Sequence, residues 1–208
     1  TTAVGKGVVR ANDTPNFVAN RVGIAGMMAT MIEAEKFGLS FDVVDDLTGK
    51  KLGRASSGTF RTADVVGLDT LVKVANNLYE GLPKDEQREI FKLPDIIGEL
   101  EKNKWLGDKT GQGFYKKTKD AKGATAILTL DLKTMEYKPK QKVKFATLEL
   151  TKPIENIRER FKVLLGGKDK AGEFYRDSFY GIFQYISNRI PEVSDELYKI
   201  DDALCAGF

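Results

Sequence analysis

One apolar segment, DTPNFVANRVGIAGMMATMIEAEKFG from Asp13 to Gly38, constrains the fold of this chain more than any other. Asp13 or Thr14 can accept hydrogen bonds from the free N–H groups at a helix start, and Pro15 suits the first helical position. A glycine such as Gly38 commonly ends a helix. The segment therefore predicts a single long helix.

Two polar residues interrupt the apolar surface of this predicted helix. At about 100° per residue, Asn20 and Glu35 lie on one side, opposite a face of small residues that would admit another backbone closely. The first side also carries Ile24, Met28 and Met31, and the small-residue face carries Ala19, Gly23, Gly26 and Thr30. A helix that is apolar nearly all round is usually buried. Because a buried amide needs hydrogen-bond partners, the helix alone favours a structural role for Asn20.

Composition limits the class of protein. The 208 residues, of which 41% are apolar and 30% charged, can bury one substantial core or two small ones. The longest apolar run, Val22–Ile32, is too short to span a bilayer, and no signal-peptide pattern is present. The single cysteine, Cys205, excludes an intrachain disulfide and fits a reducing compartment. We therefore predict a cytoplasmic protein without a membrane span.

Several functions are disfavoured by what the sequence lacks. The net charge is only +3 and basic residues alternate with acidic ones, which argues against nucleic-acid binding. No histidine is present, so a Ser–His or Cys–His nucleophile is impossible within this chain and no metal site is expected. No GxGxxG segment follows a predicted strand, so no dinucleotide cofactor is expected to bind here.

Shorter elements follow Gly38. Ser40 should cap a helix, and Thr59 should cap another over residues 60–66, followed by one that Asp69 caps. A further helix begins at Pro94, and GQGFY should form a tight turn whose aromatic rings pack back on the helices. AILTLDLKTMEY predicts a β-hairpin that turns at Asp131–Thr134, and KVKFATLEL predicts an extended segment or a strand. Helices return from Pro153 and again over about 173–189.

Three motifs resemble one family, the 3-hydroxyacyl-CoA dehydrogenases of β-oxidation. TPNFVANRV resembles the opening of the family's C-terminal helical domain. GTFRTADVVGLD resembles its next motif at Gly58, Phe60, Asp64 and Val66–Asp69, with Thr59 in place of the usual proline. The third motif closes the domain in the family and matches here at Gly107, Lys109, Thr110, Gly111, Gly113, Phe114 and Tyr115.

The resemblance implies a mainly α fold, a helical bundle of the 6-phosphogluconate-dehydrogenase C-terminal-domain type with a small β-hairpin segment. The end of the chain also repeats part of its beginning, because FDVVDDLTGKKLG resembles LYKIDDALCAGF and each follows a long helix. We therefore predict a first helical domain at 1–118, a hairpin connector at 119–151, and a truncated second helical copy at 152–208. Residues 1–10 should form the end of a strand or an interdomain connector.

The resemblance also implies a reaction, hydride transfer between the 3-hydroxyl carbon of an acyl-CoA and NAD. Asn20 then maps onto an active-site asparagine. The loop that contains Arg54, Ser57, Gly58 and Phe60 is the weaker candidate for the acyl-binding surface. The family's NAD-binding Rossmann domain, with its catalytic histidine, lies upstream of this helical domain, so a fragment like this chain should be inactive alone. Its apolar surfaces should lead it to self-associate.

A different class of function fits the same residues. In this alternative the chain is a non-catalytic helical dimerisation or binding module, Asn20 is structural and GQGFY is only a turn. The sequence upstream of Thr1 would separate the two hypotheses, since a GxGxxG unit followed by a histidine there favours the enzyme and anything else favours the module.

Overall fold

The structure is a computed structural model that describes Gly5, residues 7–120 and residues 123–207. In this part of the chain the fold is mainly α with one small antiparallel sheet, which confirms the predicted fold class. The helices are α1 (Phe17–Lys36), α2 (Phe41–Thr48), α3 (Phe60–Val66), α4 (Leu68–Gly81), α5 (Asp95–Lys102), α6 (Ala146–Thr151), α7 (Ile157–Gly166), α8 (Lys170–Asn188) and α9 (Leu197–Gly207). The strands are β1 (Tyr115–Lys119), β2 (Thr125–Leu130) and β3 (Tyr137–Pro139).

The chain divides into two compact units. The first unit comprises Thr1–Ala29, Lys73–Lys92 and Ser178–Phe208, and the second comprises Thr30–Val72 and Leu93–Asp177. The three consecutive domains expected from the sequence stay a prediction. The second-copy hypothesis stays a prediction as well. Helix α1 has 20 residues and α8 has 19, and each precedes a helix that contains an Asp-Asp pair.

Helix α1 ends as predicted but begins later. Gly38 is left-handed with φ of 59°, and the Leu39 amide donates to the Ala34 carbonyl at 2.9 Å. At the other end, Asn16 and Phe17 both have positive φ, and the helix starts at Phe17. The expectation that Pro15 occupies the first helical position is therefore wrong. Asn16, which has a positive φ, lies between this proline and the helix.

The first unit has an apolar core built around the N-terminal half of α1. One cluster combines buried side chains from α1, α4 and the segment after α4 with Tyr185 from α8, namely Ala25, Leu78, Leu82, Phe91 and Tyr185. A second cluster contains Val18, Val22, Val193 and Ile200. Residues 178–200 thus bury the same helix that carries Asn20.

The second unit has an aromatic centre. The rings of Phe41, Phe60 and Phe114 lie in mutual contact, with centroid separations of 4.5, 4.7 and 4.9 Å. Buried rings at these distances stabilise one another by about 0.5–1.5 kcal/mol per pair beyond the area that they bury. They join α2, α3 and the GQGFY turn, as the predicted packing of this turn requires.

The sheet was only partly predicted. Strands β2 and β3 form the expected hairpin, with Leu130 opposite Tyr137. Strand β1 was not predicted, and it pairs antiparallel with β2, with Tyr115 opposite Thr129. The third predicted strand, KVKFATLEL, is wrong in its second half, because residues 146–151 form α6.

Helix α6 has a cap that comes from a distant residue. The Asp169 carboxylate accepts from the Thr147 amide at 2.9 Å and from the Thr147 hydroxyl at 2.6 Å. These two hydrogen bonds stabilise the first turn of a helix. The apolar residues of this sequence alternate as in a strand, which is why a helix was not predicted here. Helix α7 likewise begins at Ile157, later than the predicted start at Pro153, because Asn156 caps it.

Residues 7–10 form no helix or strand, and the rest of the predicted N-terminal strand or connector, apart from Gly5, lies outside the described residues. Among the helices that the structure does describe, none combines the length and apolarity needed to traverse a bilayer.

Candidate active site

Asn20 lies on an exposed face of the first turns of α1. Its side chain is exposed and, within the described residues, makes no hydrogen bond. Phe17, one turn earlier on the same helix, is 73% exposed. The expectation that Asn20 is buried and needs partners inside the core is therefore wrong, since α1 turns this residue outward. An amide donor and an aromatic ring are thus available to a ligand or to another part of a protein.

The next residue, Arg21, lies about 100° further round the helix and is fully buried. Its guanidinium donates to the Asp85 carboxylate at 2.9 Å, to the Glu192 carboxylate at 2.7 Å, and to the Tyr185 hydroxyl at 3.0 Å. Burial of a charge is costly unless it is paired and hydrogen-bonded, and every bond here goes to a fixed partner. Arg21 is therefore anchored while its neighbour Asn20 stays free.

Asp85 is the centre of this group. It is 5% exposed, and it accepts from Arg21, from the Tyr185 hydroxyl at 3.0 Å and from the Gln87 amide at 2.9 Å. Burial alone would raise the pKa of Asp85, but the Gln87 amide and the Arg21 guanidinium hold it below its usual value. A second buried arginine, Arg189, pairs with Asp85 at 3.0 Å. The ion pair is therefore charged at neutral pH.

The second family-like motif surrounds a different carboxylate. Asp45 of α2 is 8% exposed and accepts from three consecutive amides at the start of α3, those of Thr59, Phe60 and Arg61, at 2.6–2.8 Å. It also accepts from the Tyr115 hydroxyl at 2.6 Å. Burial raises the pKa of Asp45 to about 6, although these four donors act in the opposite direction. Asp45, and not the Thr59 side chain, caps α3.

Asp64 of α3 holds the third motif in place. It is 1% exposed and accepts from the Phe114 and Tyr115 amides at 2.9 and 2.8 Å. Burial raises the pKa of Asp64 to about 6, against the effect of these two amides. A side chain at Gly113 would overlap the Asp64 carboxylate, so only glycine fits there. We call the contacts of Asp45 and Asp64 with their donors the carboxylate knot.

The polar residues of the third motif also have internal partners. Lys109 forms an ion pair with Asp69, the last residue of VGLD. The Thr110 hydroxyl accepts from the Leu106 amide at 2.8 Å. The second and third motifs are thus tied to each other by structural bonds.

A cavity of about 470 Å³ opens beside the aromatic centre of the second unit. Its apolar wall is formed by Met31, Leu39, Phe41, Phe60, Leu132 and Met135, and three carboxylates also line it, those of Glu35, Asp95 and Glu99. The volume and the apolar wall are those of an ordinary small-molecule site. The three carboxylates favour an uncharged or cationic occupant over an anionic one.

The four candidate substrate residues have different surroundings. Phe60 is 2% exposed and forms part of the cavity wall. Gly58 has φ of 64° and packs on Asp45, where an added Cβ would lie 2.6 Å from the Asp45 Cα. The Ser57 hydroxyl lies 2.8 Å from that of Thr62, and Arg54 is exposed. Of the four, only Phe60 lines this cavity.

Comparison with known proteins identifies the segment that contains these motifs. Residues 17–117 match the model of the family described as "3-hydroxyacyl-CoA dehydrogenase, C-terminal domain". This part of the chain belongs to that family. The match begins at Phe17, includes Asn20 and both aspartates of the carboxylate knot, and ends two residues after Tyr115.

Relatives carry the similarity beyond the family domain. A protein of Bacillus subtilis named "Probable 3-hydroxyacyl-CoA dehydrogenase" is 40% identical over 205 residues, which are 99% of this chain and 25% of the relative. A protein of Deinococcus radiodurans with the same name is 52% identical over 126 residues, 61% of this chain and 36% of the relative. The rat "Hydroxyacyl-coenzyme A dehydrogenase, mitochondrial" is 33% identical over 114 residues, 54% of this chain and 35% of the relative. The chain thus spans a quarter to about a third of the length of these relatives.

The structure separates the family motifs into two kinds. Gly58, Asp64, Gly113 and the Phe114–Tyr115 pair all have contacts that the fold itself requires. Asn20 has none of this kind. Sequence reasoning missed two neighbours of Asn20, the exposed Phe17 and the anchored Arg21. An arginine inside an otherwise apolar helix was the available signal for Arg21.

Proposed function

We propose that this chain supplies the helical part of an NAD-dependent 3-hydroxyacyl-CoA dehydrogenase. The observation that carries the proposal is the exposed, unpartnered Asn20 amide in a segment that belongs to this family. Within the described residues, the Asn20 side chain makes no hydrogen bond that would give it a structural role. The exposed amide instead suits contact with a group that the chain does not contain.

In the proposed reaction Asn20 acts as a hydrogen-bond donor at the reacting end of the substrate. Oxidation of the 3-hydroxyl carbon transfers a hydride to NAD and a proton to a base, and the reverse direction develops negative charge on the carbonyl oxygen. A positioned amide stabilises such charge or orients the catalytic base. The base cannot be a histidine of these 208 residues, since they contain none.

The cofactor is proposed to bind outside this chain. Its sequence has no glycine-rich dinucleotide motif after a strand, and its helices resemble the substrate side of the family. We therefore propose that the NAD-binding Rossmann unit and the catalytic histidine come from a separate region, and that these 208 residues alone are inactive.

We propose the loop at 54–60 as part of the acyl-binding surface, and Phe60 is the member with the clearest support. Phe60 lines an apolar cavity whose carboxylates would repel the phosphates of coenzyme A, so only the apolar end of a substrate fits there. Substitution Phe60→Leu should change the ratio of kcat/KM between long and short acyl-CoA substrates. An unchanged ratio would exclude Phe60 from the acyl site.

The test of the main proposal is acetoacetyl-CoA-dependent oxidation of NADH. The chain is assayed alone and mixed with the separately expressed nucleotide-binding region of its natural protein. We expect no activity alone, activity on mixing, and loss of that activity with Asn20→Ala. Activity of these 208 residues by themselves would overturn the division of roles. No activity after mixing, with both pieces folded and associated, would favour the alternative binding module.

We also propose self-association. In the first unit, residues 178–208 expose the large apolar side chains of Tyr180, Phe183, Leu197 and Tyr198, between 47% and 59% each. Exposed apolar surface of this kind commonly marks an interaction site. Sedimentation should show an apparent mass that rises with concentration, and a monomer at all concentrations would contradict this.

A further inference from the structure

The residues that anchor Arg21 come from two distant parts of the chain. Asp85 follows α4, whereas Tyr185 and Glu192 belong to α8 and the loop after it. The family domain covers residues 17–117, so both of the latter partners lie outside it. Asn20 thus lies beside Arg21, whose position depends on residues outside the family domain.

The same loop also holds the residues that lead into α1. The Asn12 side-chain amide donates to the Pro191 carbonyl at 2.8 Å, and the Asn12 backbone amide donates to the Val193 carbonyl at 3.0 Å. Residues 191–193 therefore fix the chain eight residues before Asn20, and Glu192 fixes the residue immediately after it. Asn20 lies between two anchors from one loop.

The helix start itself supplies little of this restraint. The Thr14 hydroxyl is buried without a hydrogen-bond partner, and Asn16 and Phe17 adopt left-handed conformations that are unfavourable for residues with a Cβ. A helix start of this kind has no local side-chain cap from Thr14. The rotation and position of the first turns of α1 must come from the packing of its buried side and from the bonds of Arg21.

Arg21 can transmit this restraint to Asn20 because the two are consecutive residues of one helix. The guanidinium is planar, and its donors are directed to three separate side chains, so it permits little rotation of α1 about its axis. A displacement of about 1 Å in a catalytic group can lower a rate about 10²-fold. The helix sets the position of the Asn20 backbone and the direction of its Cα–Cβ bond, and thus the region that its unpartnered amide can reach.

Resting on the proposed function, we infer that Tyr185 and Glu192 are positioning residues for Asn20, acting through Arg21. They touch neither substrate nor cofactor. The segment after α8 then serves the reaction by holding the first turns of α1, in addition to forming the core of the first unit.

The experiment is a mutant cycle in the complete natural protein, with acetoacetyl-CoA and NADH as substrates. Tyr185→Phe removes only the hydroxyl and leaves Arg21 paired with Asp85 and Glu192. We expect kcat to fall about 3- to 10-fold with KM little changed, because an interaction used only in the transition state is weakened. In the Asn20→Ala background the same substitution should have no further effect on kcat.

Tyr175→Phe is the matched control. Tyr175 is also a buried tyrosine of α8, 1% exposed, and its hydroxyl donates to the Leu47 carbonyl at 2.7 Å within the second unit. Its loss should lower stability without changing kcat in either background. Glu192→Gln is the second test variant, and circular dichroism of each variant establishes that it is folded.

The outcomes separate the two proposals. If Asn20→Ala retains full kcat, the catalytic role of Asn20 and its positioning both fail. If Asn20→Ala loses activity but Tyr185→Phe and Glu192→Gln lower kcat equally in both backgrounds, the residues are merely structural and only the positioning proposal fails. If Tyr185→Phe and Glu192→Gln lower kcat in the wild type but not in the Asn20→Ala background, the positioning proposal is supported.

Discussion

Asn20 and the carboxylate knot both lie within the segment that matches the family domain, yet their polar groups have opposite surroundings. In the carboxylate knot, Asp45 and Asp64 are buried and accept four and two hydrogen bonds respectively. On α1, the Asn20 side chain is exposed and makes no hydrogen bond within the described residues. A family motif can therefore mark either residues that the fold requires or a side chain that is left free to contact another group.

The difference gives a physical criterion for choosing between those roles. A buried polar side chain with all its bonds made inside the fold is explained by stability alone. An exposed amide beside a rigidly held arginine contributes little to stability, so stability does not explain why it is there. The following substitutions test the criterion from both sides.

The largest effect should come from Asn20→Ala. We expect kcat in the complete protein to fall about 10²- to 10³-fold, which is typical for loss of a hydrogen-bond donor to a developing oxyanion. The free energy of unfolding should change by no more than about 0.5 kcal/mol, since an exposed side chain without partners is removed. Steady-state kinetics and urea unfolding measure the two quantities.

Asn77→Ala is the control for this substitution. Asn77 is likewise an exposed helical asparagine of the first unit, on α4, and its side chain makes no hydrogen bond within the described chain. It should alter neither kcat nor stability appreciably. An equal loss of kcat in both variants would remove the special role of Asn20.

The next effect should be on stability, from Gly113→Ala. The added methyl group would overlap the Asp64 carboxylate, and relieving this overlap disturbs the bonds to Phe114 and Tyr115. We expect a loss of about 1–3 kcal/mol, as for other insertions into well-packed sites. The midpoint of urea unfolding measures the loss.

Gly98→Ala provides the opposite case. Gly98 lies in the middle of α5, and no atom lies within 4 Å of the position that its Cβ would take. Alanine should therefore stabilise the protein by about 0.5–1 kcal/mol through helix propensity. If both glycine variants change stability equally, the packing of Gly113 on Asp64 is not what requires glycine.

The third prediction concerns the pH dependence of stability. Because burial raises the pKa of Asp64 to about 6, the folded protein binds this proton more tightly than the unfolded chain does. Its contribution to stability is full below the ordinary aspartate pKa and is lost as pH rises through 6. One such group contributes at most about 3 kcal/mol between pH 4 and 7.

Asp64→Asn should accordingly reduce the fall in stability between pH 4 and 7, measured by urea unfolding at each pH. Asp131→Asn is the control, because the hydrogen bond from Lys138 holds the pKa of Asp131 at about 2, below this range. Asp131→Asn should leave the slope between pH 4 and 7 as in the wild type. A slope unchanged by Asp64→Asn would contradict the raised pKa.

The smallest effect should come from Ser40→Ala. Ser40 occupies the N-cap position of α2, but its buried hydroxyl makes no hydrogen bond. Its loss should be neutral or slightly stabilising, because an unsatisfied buried group is removed. Asn156→Ala at the N-cap of α7 should instead cost about 1 kcal/mol, since this side chain accepts from the Arg158 and Glu159 amides. Equal costs would show that residue type alone decides capping.

Part of the fold could be predicted from the sequence, and part could not. Local signals were sufficient for the end of α1 at Gly38, for the β2–β3 hairpin and for the long helix α8, because each depends on neighbouring residues. The start of α1, the identity of α6 and the cap of α3 depended on contacts between distant residues. Asp169 caps α6 from 22 residues away, and Asp45 caps α3 across a loop.

The candidate site was predicted less completely than the fold. Motif resemblance pointed to Asn20, but helical periodicity placed it in a core. Periodicity shows which residues share a helix face, but it does not show whether that face is packed against other residues or exposed. The anchoring of Arg21 was not predictable, since it pairs residues 164 and 171 positions apart. The catalytic role of Asn20 and the substrate role of Phe60 remain predictions.

The pairing of Arg21 with Glu192 has a consequence for synthesis of the protein. The two residues are 171 positions apart, so a ribosome that adds about 5–20 residues per second needs on the order of ten seconds or more between them. During this interval the nascent helix that carries Asn20 lacks a charged partner that it has when folded. We therefore expect the first turns of α1 to reach their final packing only after translation has passed the loop after α8.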